Sequence, residues 1–445
     1  MLATSEAKSR PAAAATSHPI RHVVVLGANG TMGFGSGALF TSAVPRVTFL
    51  ARTKEKAEGG LGAAIRMVRS STVADRVDTG SYDADFDRAV SEADLIFEAV
   101  TEKLDLKRRF FERIDALRKP DSIVATVTSG LSINELAEGR SASFKKHFLG
   151  LHFFNPPNVI VGTELIAGKE TDPALVDLVE RYCTERLGRV MVRTADTPGF
   201  AGNRVGFKVL NECAQLAEEH GALLVDKLVG PYTGRALTPL KTIDLVGWDI
   251  HRAIVDNIYA LAPDEAHETL ALPKFMAAMM EKGTLGNKTG RGFFAKSDEG
   301  ERLALDPRSK RYQPIKEIAL PDLGYIDEVA RLHHLGLYEQ AMAAFAAADG
   351  PYAALARKVI AGYISYAFHR VGEVTESIRG VDLIMGYGFN WAPPGVLVDT
   401  FGLETTLRIL DEAGVPVPAL LANADPATRW FDDPYTNTGK FFVAG

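Results

Sequence analysis

An α/β chain, with a doubly wound parallel sheet ahead of all-α domains, is what the sequence predicts, and three observations carry that expectation. Short apolar runs at His22–Leu26, Arg46–Leu50, Asp94–Val100 and Ser122–Thr128 alternate with segments of helical length such as Lys103–Leu117. Strands alternating with helices build a parallel sheet covered on both faces. The first run ends in a glycine turn, Gly27-Ala28-Asn29-Gly30-Thr31-Met32-Gly33, with a helical segment behind it. Past Asp196-Thr197-Pro198-Gly199-Phe200 the alternation stops, and Val205–Leu223 sets apolar residues at helical spacing without an internal proline. The expected fold class is an α/β Rossmann-type doubly wound sheet followed by all-α C-terminal domains.

Taken in order, residues 1–20 are rich in Ala, Ser and Pro and hold Lys8 and Arg10 without the apolar core of a secretion signal, so a disordered tail is expected. Residues 21–197 form the expected NAD(P)-binding domain and 198–295 a helical domain. Residues 296–345, of mixed charge with several prolines, read as a linker with some helix. Residues 346–440 read as a second, repeat-like helical domain: Pro239, Asp244 and Gly247 recur as Pro394, Asp399 and Gly402, and Glu218 as Glu373, all at an offset of 155 residues. Similarity at one fixed offset marks a duplicated unit.

Composition bounds the function. Of the 445 residues, 46% are hydrophobic and 24% charged, values that support sizeable cores. A net charge of −6 and a pI near 6.0 exclude the basic stripe of a nucleic-acid binder. Two cysteines, Cys183 and Cys213, exclude a disulfide framework or a cysteine-rich zinc site; no metal is expected, and a reducing, cytoplasmic setting is. No apolar run is long enough to span a membrane.

The glycine turn is the first sign of chemistry. Glycines between a strand and a helix let the backbone approach a pyrophosphate, while the helix start offers N–H groups and the positive end of its dipole. Gly27, Asn29, Gly30, Thr31, Met32 and Gly33 are therefore candidate coenzyme ligands. The spacing, Gly27-x-x-Gly30-x-x-Gly33, is one residue longer than the usual G-x-G-x-x-G. At the end of the second run, where an acid would bind the ribose 2′-OH of NAD, stand Ala51-Arg52-Thr53. Arg52 suits either a 2′-phosphate of NADP or a solvated surface charge.

Further blocks follow in a fixed order: Phe97-Glu98-Ala99-Val100-Thr101-Glu102, Thr128-Ser129-Gly130-Leu131, Gly150-Leu151-His152-Phe153-Phe154-Asn155-Pro156, Asp196-Thr197-Pro198-Gly199-Phe200 with Asn203-Arg204, Asp244-Leu245-Val246-Gly247, and Lys288-Thr289-Gly290-Arg291-Gly292-Phe293-Phe294. In these blocks the sequence resembles the 3-hydroxyacyl-CoA dehydrogenase family over residues 22–294, and the third segment resembles the extra C-terminal domain of longer members. The resemblance implies reversible hydride transfer between a (3S)-3-hydroxyacyl-CoA and NAD(P), giving a 3-oxoacyl-CoA, in fatty acid metabolism. It implies an acyl-CoA thioester substrate and NAD as the default coenzyme, with NADP open because of Ala51-Arg52.

Alcohol oxidation needs a base for the hydroxyl proton, and an imidazole titrating near neutrality suits His152 to that role. By resemblance its orienting partner is Glu164, Ser129 hydrogen-bonds the substrate oxygen, and Asn203 lies near the reacting group with Asn155 in support. Glu102 and Lys107 would lie along the coenzyme, with a solvated helix face as the alternative for Lys107. Val127 stands where the family usually has Asn. Short members dimerise through their one helical domain, so residues 346–440 are expected to form a pseudo-dimer within one chain, with further homo-oligomers open. Two rivals remain at this point: a 3-hydroxyacid dehydrogenase of the 6-phosphogluconate type, which uses a lysine base, and a nucleotide-binding protein without catalysis.

Overall fold

The computed structural model describes residues 20–431, 437–438 and 442–443. The tail expected at 1–20 lies, apart from Ile20, outside the described residues. The first unit runs β1 (His22–Leu26), α1 (Thr31–Phe40), β2 (Arg46–Ala51), α2 (Lys54–Val68), β3 (Val77–Ser81), α3 (Phe86–Glu92), β4 (Leu95–Glu98), α4 (Leu104–Leu117), β5 (Ile123–Thr126), α5 (Ile133–Leu136), α6 (Ala142–Lys146), β6 (Phe148–Phe153), β7 (Gly162–Ala167), α7 (Pro173–Leu187) and β8 (Val190–Thr194).

These strands form one sheet in the order β3-β2-β1-β4-β5-β6-β7-β8. All neighbours pair in parallel except β6 and β7. The central strands β1, β4 and β5 are buried along their whole length, because helices cover both faces. Their runs, such as Val23-Val24-Val25-Leu26, are therefore continuously apolar rather than alternating. Side chains of odd and even register feed two cores, one around Phe40, Phe49 and Phe97 and the other around Phe86, Phe111 and Phe144.

The helical part follows: α8 (Gly202–His220), α9 (Ala222–Leu228), α10 (Pro239–Val246), α11 (Trp248–Leu261) and α12 (Lys274–Met280). The stretch read as a linker carries a three-stranded antiparallel sheet of β9 (Phe294–Lys296), β10 (Arg302–Asp306) and β11 (Arg311–Pro314), then α13 (Gly324–His334) and α14 (Tyr338–Ala347). The third segment holds α15 (Pro351–His369), α16 (Ile378–Tyr387), α17 (Pro394–Phe401), α18 (Leu403–Glu412) and α19 (Ala419–Ala422).

One continuous core joins the two helical units, reaching from Val205 and Trp248 to Tyr363 and Trp391. Helix α10 starts at Pro239 and α17 at Pro394, and α11 starts at Trp248 and α18 at Leu403, each pair separated by the repeat offset. The units meet through crossed backbone bonds: Ala236 N–H donates to the Asn390 carbonyl at 3.1 Å, and Ala392 N–H to the Gly234 carbonyl at 2.5 Å. A shared local device also recurs. Asp244 accepts from the amides of Phe293 and Phe294, and Asp399 from those of Trp430 and Phe431. Gly292 is required by the first copy, since a Cβ there would fall 2.0 Å from Asp244 Oδ1.

Candidate active site

The site assembles where the sheet's carboxyl ends meet the start of α8. Strands β6 and β7 are antiparallel, and their register sets His152 directly opposite Glu164. Facing residues of such a pair lie close enough for their side chains to bond, which explains the spacing of twelve residues between them. His152 Nδ1 lies 2.6 Å from Glu164 Oε2, and the pair is buried, at 4% and 0% exposure.

The other oxygen of Glu164, Oε1, accepts the amides of Ala201 and Gly202, both at 2.9 Å. These amides lie at the start of α8, where N–H groups have no partner within the helix. Surrounded by three donors, the Glu164 carboxyl group acts as acceptor throughout. Nδ1 therefore carries hydrogen, which leaves the Nε2 lone pair free to accept. Phe154 and Phe200 box the imidazole at centroid distances of 4.9 and 5.8 Å. Phe200 holds a left-handed backbone at φ 51° and is fully buried. A non-glycine residue in that region costs about 1 kcal/mol and persists only where the surroundings dictate it.

The same helix start carries Asn203. Its Nδ2 donates to the Ser129 carbonyl at 3.0 Å, which joins the two halves of the site across the domain boundary. Ser129 is half-buried, and its amide donates to Glu102 Oε1 at 2.9 Å. Glu102 also takes the Thr128 hydroxyl on Oε1 and meets Lys107 Nζ with Oε2 at 3.2 Å. Lys107 is fully buried and donates to both oxygens of Glu98, at 2.8 and 2.9 Å. Burial works against the ammonium, but Glu98 and Glu102 outweigh it and hold Lys107 above its ordinary value. Lys107 thus braces Glu102 and the Ser129 turn from inside, and its ammonium is occupied by carboxylates. Asn155 is exposed and lies beyond the His152 strand.

The coenzyme ligands expected from the glycine turn sit between β1 and α1. Gly27 has φ 79°, and a Cβ there would lie 2.2 Å from the Ala99 carbonyl; a Cβ on Gly33 would lie 2.1 Å from the Gly27 carbonyl. Both glycines serve the fold. Gly30 differs: a Cβ would meet only the Gly27 carbonyl, at 3.5 Å, so no protein neighbour demands glycine there. Asn29, Gly30 and Thr31 are exposed, Met32 is half-buried, and no side chain caps α1. Open amides on a ten-residue helix beside an uncrowded glycine fit a pyrophosphate. Arg52 is exposed just past the end of β2, beside this turn.

Two sequence models match this architecture. Residues 22–197 match the NAD binding domain of 3-hydroxyacyl-CoA dehydrogenase, and residues 199–296 match its C-terminal domain. The chain belongs to the 3-hydroxyacyl-CoA dehydrogenase family. A probable 3-hydroxyacyl-CoA dehydrogenase of Bacillus subtilis is 34% identical over 334 residues, 74% of this chain and 41% of its own length. The chain covers 64% and 57% of the lengths of two further relatives. Among solved structures, (S)-3-hydroxybutyryl-CoA dehydrogenase from Ralstonia eutropha is 27% identical with a TM-score of 0.54, covering 61% of this chain and 98% of that one. 3-Hydroxybutyryl-CoA dehydrogenase from Escherichia coli shares the fold over 91% of this chain and 98% of its own, with a TM-score of 0.66 at 20% identity.

Several contributors to this family site escaped sequence reasoning. Glu98 sits inside a matched block, yet as a strand residue it gave no sign that it would meet Lys107. Tyr82 accepts the Gly27 amide on its hydroxyl at 2.8 Å, and burial pushes that phenol up to about 12. Asp196 takes the amides of Ile133 and Asn134 at 2.8 and 2.9 Å and the Ser132 hydroxyl at 2.7 Å, tying the Ser129 turn's helix to the loop before α8. A cavity of about 1000 Å³ is lined by residues of α9, α10, β9 and α13, such as Leu223, Asp226, Lys241, Phe294 and Asp327. His152, Glu164, Ser129 and Asn203 are not among its lining residues, so it is not the catalytic cleft.

Proposed function

We propose that this chain is an NAD-dependent 3-hydroxyacyl-CoA dehydrogenase that interconverts a (3S)-3-hydroxyacyl-CoA and the 3-oxoacyl-CoA. The observation that carries this reading is the His152–Glu164 pair, anchored to the start of α8 beside Asn203 and Ser129. When bound, the nicotinamide coenzyme supplies the hydride acceptor. His152 Nε2 takes the proton of the C3 hydroxyl as the hydride leaves C3, and Glu164 stabilises the imidazolium that forms. The Ser129 hydroxyl bonds the same oxygen, and Asn203 fixes the distance between the Ser129 turn and the helix. The amides at 31–33 would hold the pyrophosphate, and Glu102 would border the coenzyme. Lys107 acts through Glu102 rather than on the coenzyme, and with its ammonium enclosed by carboxylates it is no candidate for the lysine base of the 6-phosphogluconate type.

In this reading residues 21–197 bind coenzyme, 198–295 close the substrate cleft, and 346–440 pack on 198–295 as an internal stand-in for a dimer partner. The crossed bonds between Ala236 and Asn390 and between Ala392 and Gly234 support that pairing. Cys183 and Cys213 are buried free thiols, Cys183 pushed up to about 12 by burial, in keeping with a reducing cytoplasmic setting. No helix among the described residues is long and apolar enough to cross a membrane. The test is turnover of a panel of 3-hydroxyacyl-CoAs with NAD and NADP. Activity should fall by about 10²–10⁴-fold in His152→Gln. Near-normal turnover by that variant would refute the assignment.

A further inference from the structure

The loop that builds the site is held from the third segment. Residues 195–204 bring four parts to the chemistry: Phe200 against the imidazole, the amides of Ala201 and Gly202 on Glu164, and Asn203 on the Ser129 carbonyl. This loop includes two successive left-handed residues, Gly199 at φ 75° and Phe200 at φ 51°, a conformation that its own sequence does not favour. Something outside the loop must therefore hold it in place.

That grip comes from the end of α15 and the turn behind it, residues 366–375. At one end of the loop, the Ala195 amide donates to the Val374 carbonyl at 2.9 Å. At the other end Arg204, 1% exposed, donates from Nε to the Tyr366 hydroxyl at 2.7 Å, and from one terminal nitrogen to Asp264 at 2.7 Å and Glu373 at 2.9 Å. Tyr366 donates onward to Asp264 at 2.7 Å. Arg370 bonds the same Asp264 oxygen at 2.8 Å and bridges to Glu265 and Glu373. Apart from the backbone bond from Ala195 to Val374, every link has at least one charged partner, in buried or partly buried surroundings, the class that fixes geometry most firmly.

We propose that Tyr366 and Glu373, with Arg370, are positioning residues for the dehydrogenase reaction: through Arg204 they hold the start of α8 so that Glu164, His152, Asn203 and Ser129 keep their mutual distances. The third segment thus acts on turnover as well as covering an apolar face. These residues reach the site through Arg204 and Asp264. The inference rests on the proposed dehydrogenase activity for its kinetic readout but not for its structural one.

The experiment uses the full-length protein and two variants, Tyr366→Phe, which removes only the shared hydroxyl, and Glu373→Gln, whose side chain is 39% exposed and keeps its size. Steady-state kinetics with a 3-hydroxyacyl-CoA and coenzyme are combined with amide hydrogen exchange over 195–204 and with thermal melting. We expect kcat to fall about 10–100-fold in Tyr366→Phe, the scale set by a misplacement of about 1 Å, and less in Glu373→Gln, with both KM values within about twofold. Exchange at Ala201 and Gly202 should speed up by about tenfold or more. If either variant fails to fold, the other carries the comparison.

A loss in melting temperature with kcat and loop exchange unchanged would overturn the proposal and leave a purely structural contact. A rise in KM with kcat unchanged would also overturn it. If the wild-type protein turns over no 3-hydroxyacyl-CoA, the dehydrogenase reading fails on its own. Loop exchange then decides the clamp, faster exchange supporting it and unchanged exchange overturning it.

Discussion

Replacing Glu164 by Gln isolates what the carboxylate does for His152. Glu164 receives three donors, His152 Nδ1 at 2.6 Å and the amides of Ala201 and Gly202 at 2.9 Å each. A glutamine offers one oxygen and one NH2 group, so it can serve only one side. If the oxygen stays on the two amides, the NH2 group points at Nδ1. That nitrogen must then accept, and its hydrogen moves to Nε2. If the oxygen turns to His152, the NH2 group faces two amides and leaves both without an acceptor. Each buried unpaired donor costs about 1–3 kcal/mol, while exchanging imidazole tautomers costs less, so the first arrangement wins. The helix start survives, and the base is lost because Nε2 now carries hydrogen. Turnover should fall by about 10²–10⁴-fold, with little change in KM or melting temperature. The assay follows reduced coenzyme with a saturating 3-hydroxyacyl-CoA. Turnover within about threefold of wild type in a folded Glu164→Gln protein would refute the argument that tautomer control is Glu164's role.

Three further outcomes are expected. If Arg52 meets a 2′-phosphate, Arg52→Ala should weaken NADP binding by roughly ten- to a hundredfold and leave NAD nearly unchanged; equal loss for both coenzymes would dismiss that role. Burial, offset only in part by the Trp248, Phe293 and Phe294 donors, pushes Asp244 up to about 6. A carboxyl group raised in the folded state stabilises fully below its ordinary value near 4, and that contribution is lost as pH rises through about 6. The stability advantage of wild type over Asp244→Asn should therefore shrink by about 2 kcal/mol between pH 4 and 7 in denaturant titrations. Finally, a chain ending at residue 296 should dimerise or aggregate in light scattering, because the face around Val209, Cys213 and Leu224 loses its cover; a monomeric, fully active truncation would contradict the stand-in reading.

The parts of this site that could be read in the sequence are those governed by local rules. The glycine turn is a strand-to-helix device whose residues are near neighbours, so Gly27 and Gly33 were recognisable before their clashes with Ala99 and Gly27 were seen. His152 was legible through a matched block and Glu164 through the family resemblance, and the β6–β7 register supplies the physical reason for their spacing. Lys107 was not legible in this way. On a helix wheel it stands among charged neighbours and looks solvated, yet α4 turns it inward onto Glu98, a strand residue nine positions earlier. Pairing of two buried charges depends on how helix and sheet pack, which periodicity does not encode. The strands β9–β11 were missed for a related reason: with only three to five residues each and charged ends such as Arg302 and Asp306, they lack the apolar alternation that marks a strand.

If the third segment is a duplicate of the helical domain, as proposed, one repeat position has taken two tasks. Glu218 and Glu373 stand one repeat offset apart in the sequence, but Glu218 is exposed in the last turn of α8, whereas Glu373 follows the end of α15 and closes on Arg204 at 2.9 Å. The difference follows from the sheet. The first unit has the NAD-binding domain at the start of α8, and its Asn203 bonds the Ser129 carbonyl there. The second unit has none, and Lys358 and Val359 stand where Asn203 and Arg204 would be. Freed from serving a site of its own, the copy needs only to bury the shared apolar face, and its polar residues can change to suit the neighbouring unit. Tyr366 in the last turn of α15, with Arg370 and Glu373 just behind it, reaches the start of α8 through Arg204 and Asp264. Asymmetry of this kind is available to a tandem chain and closed to a symmetric dimer, where every substitution appears on both sides.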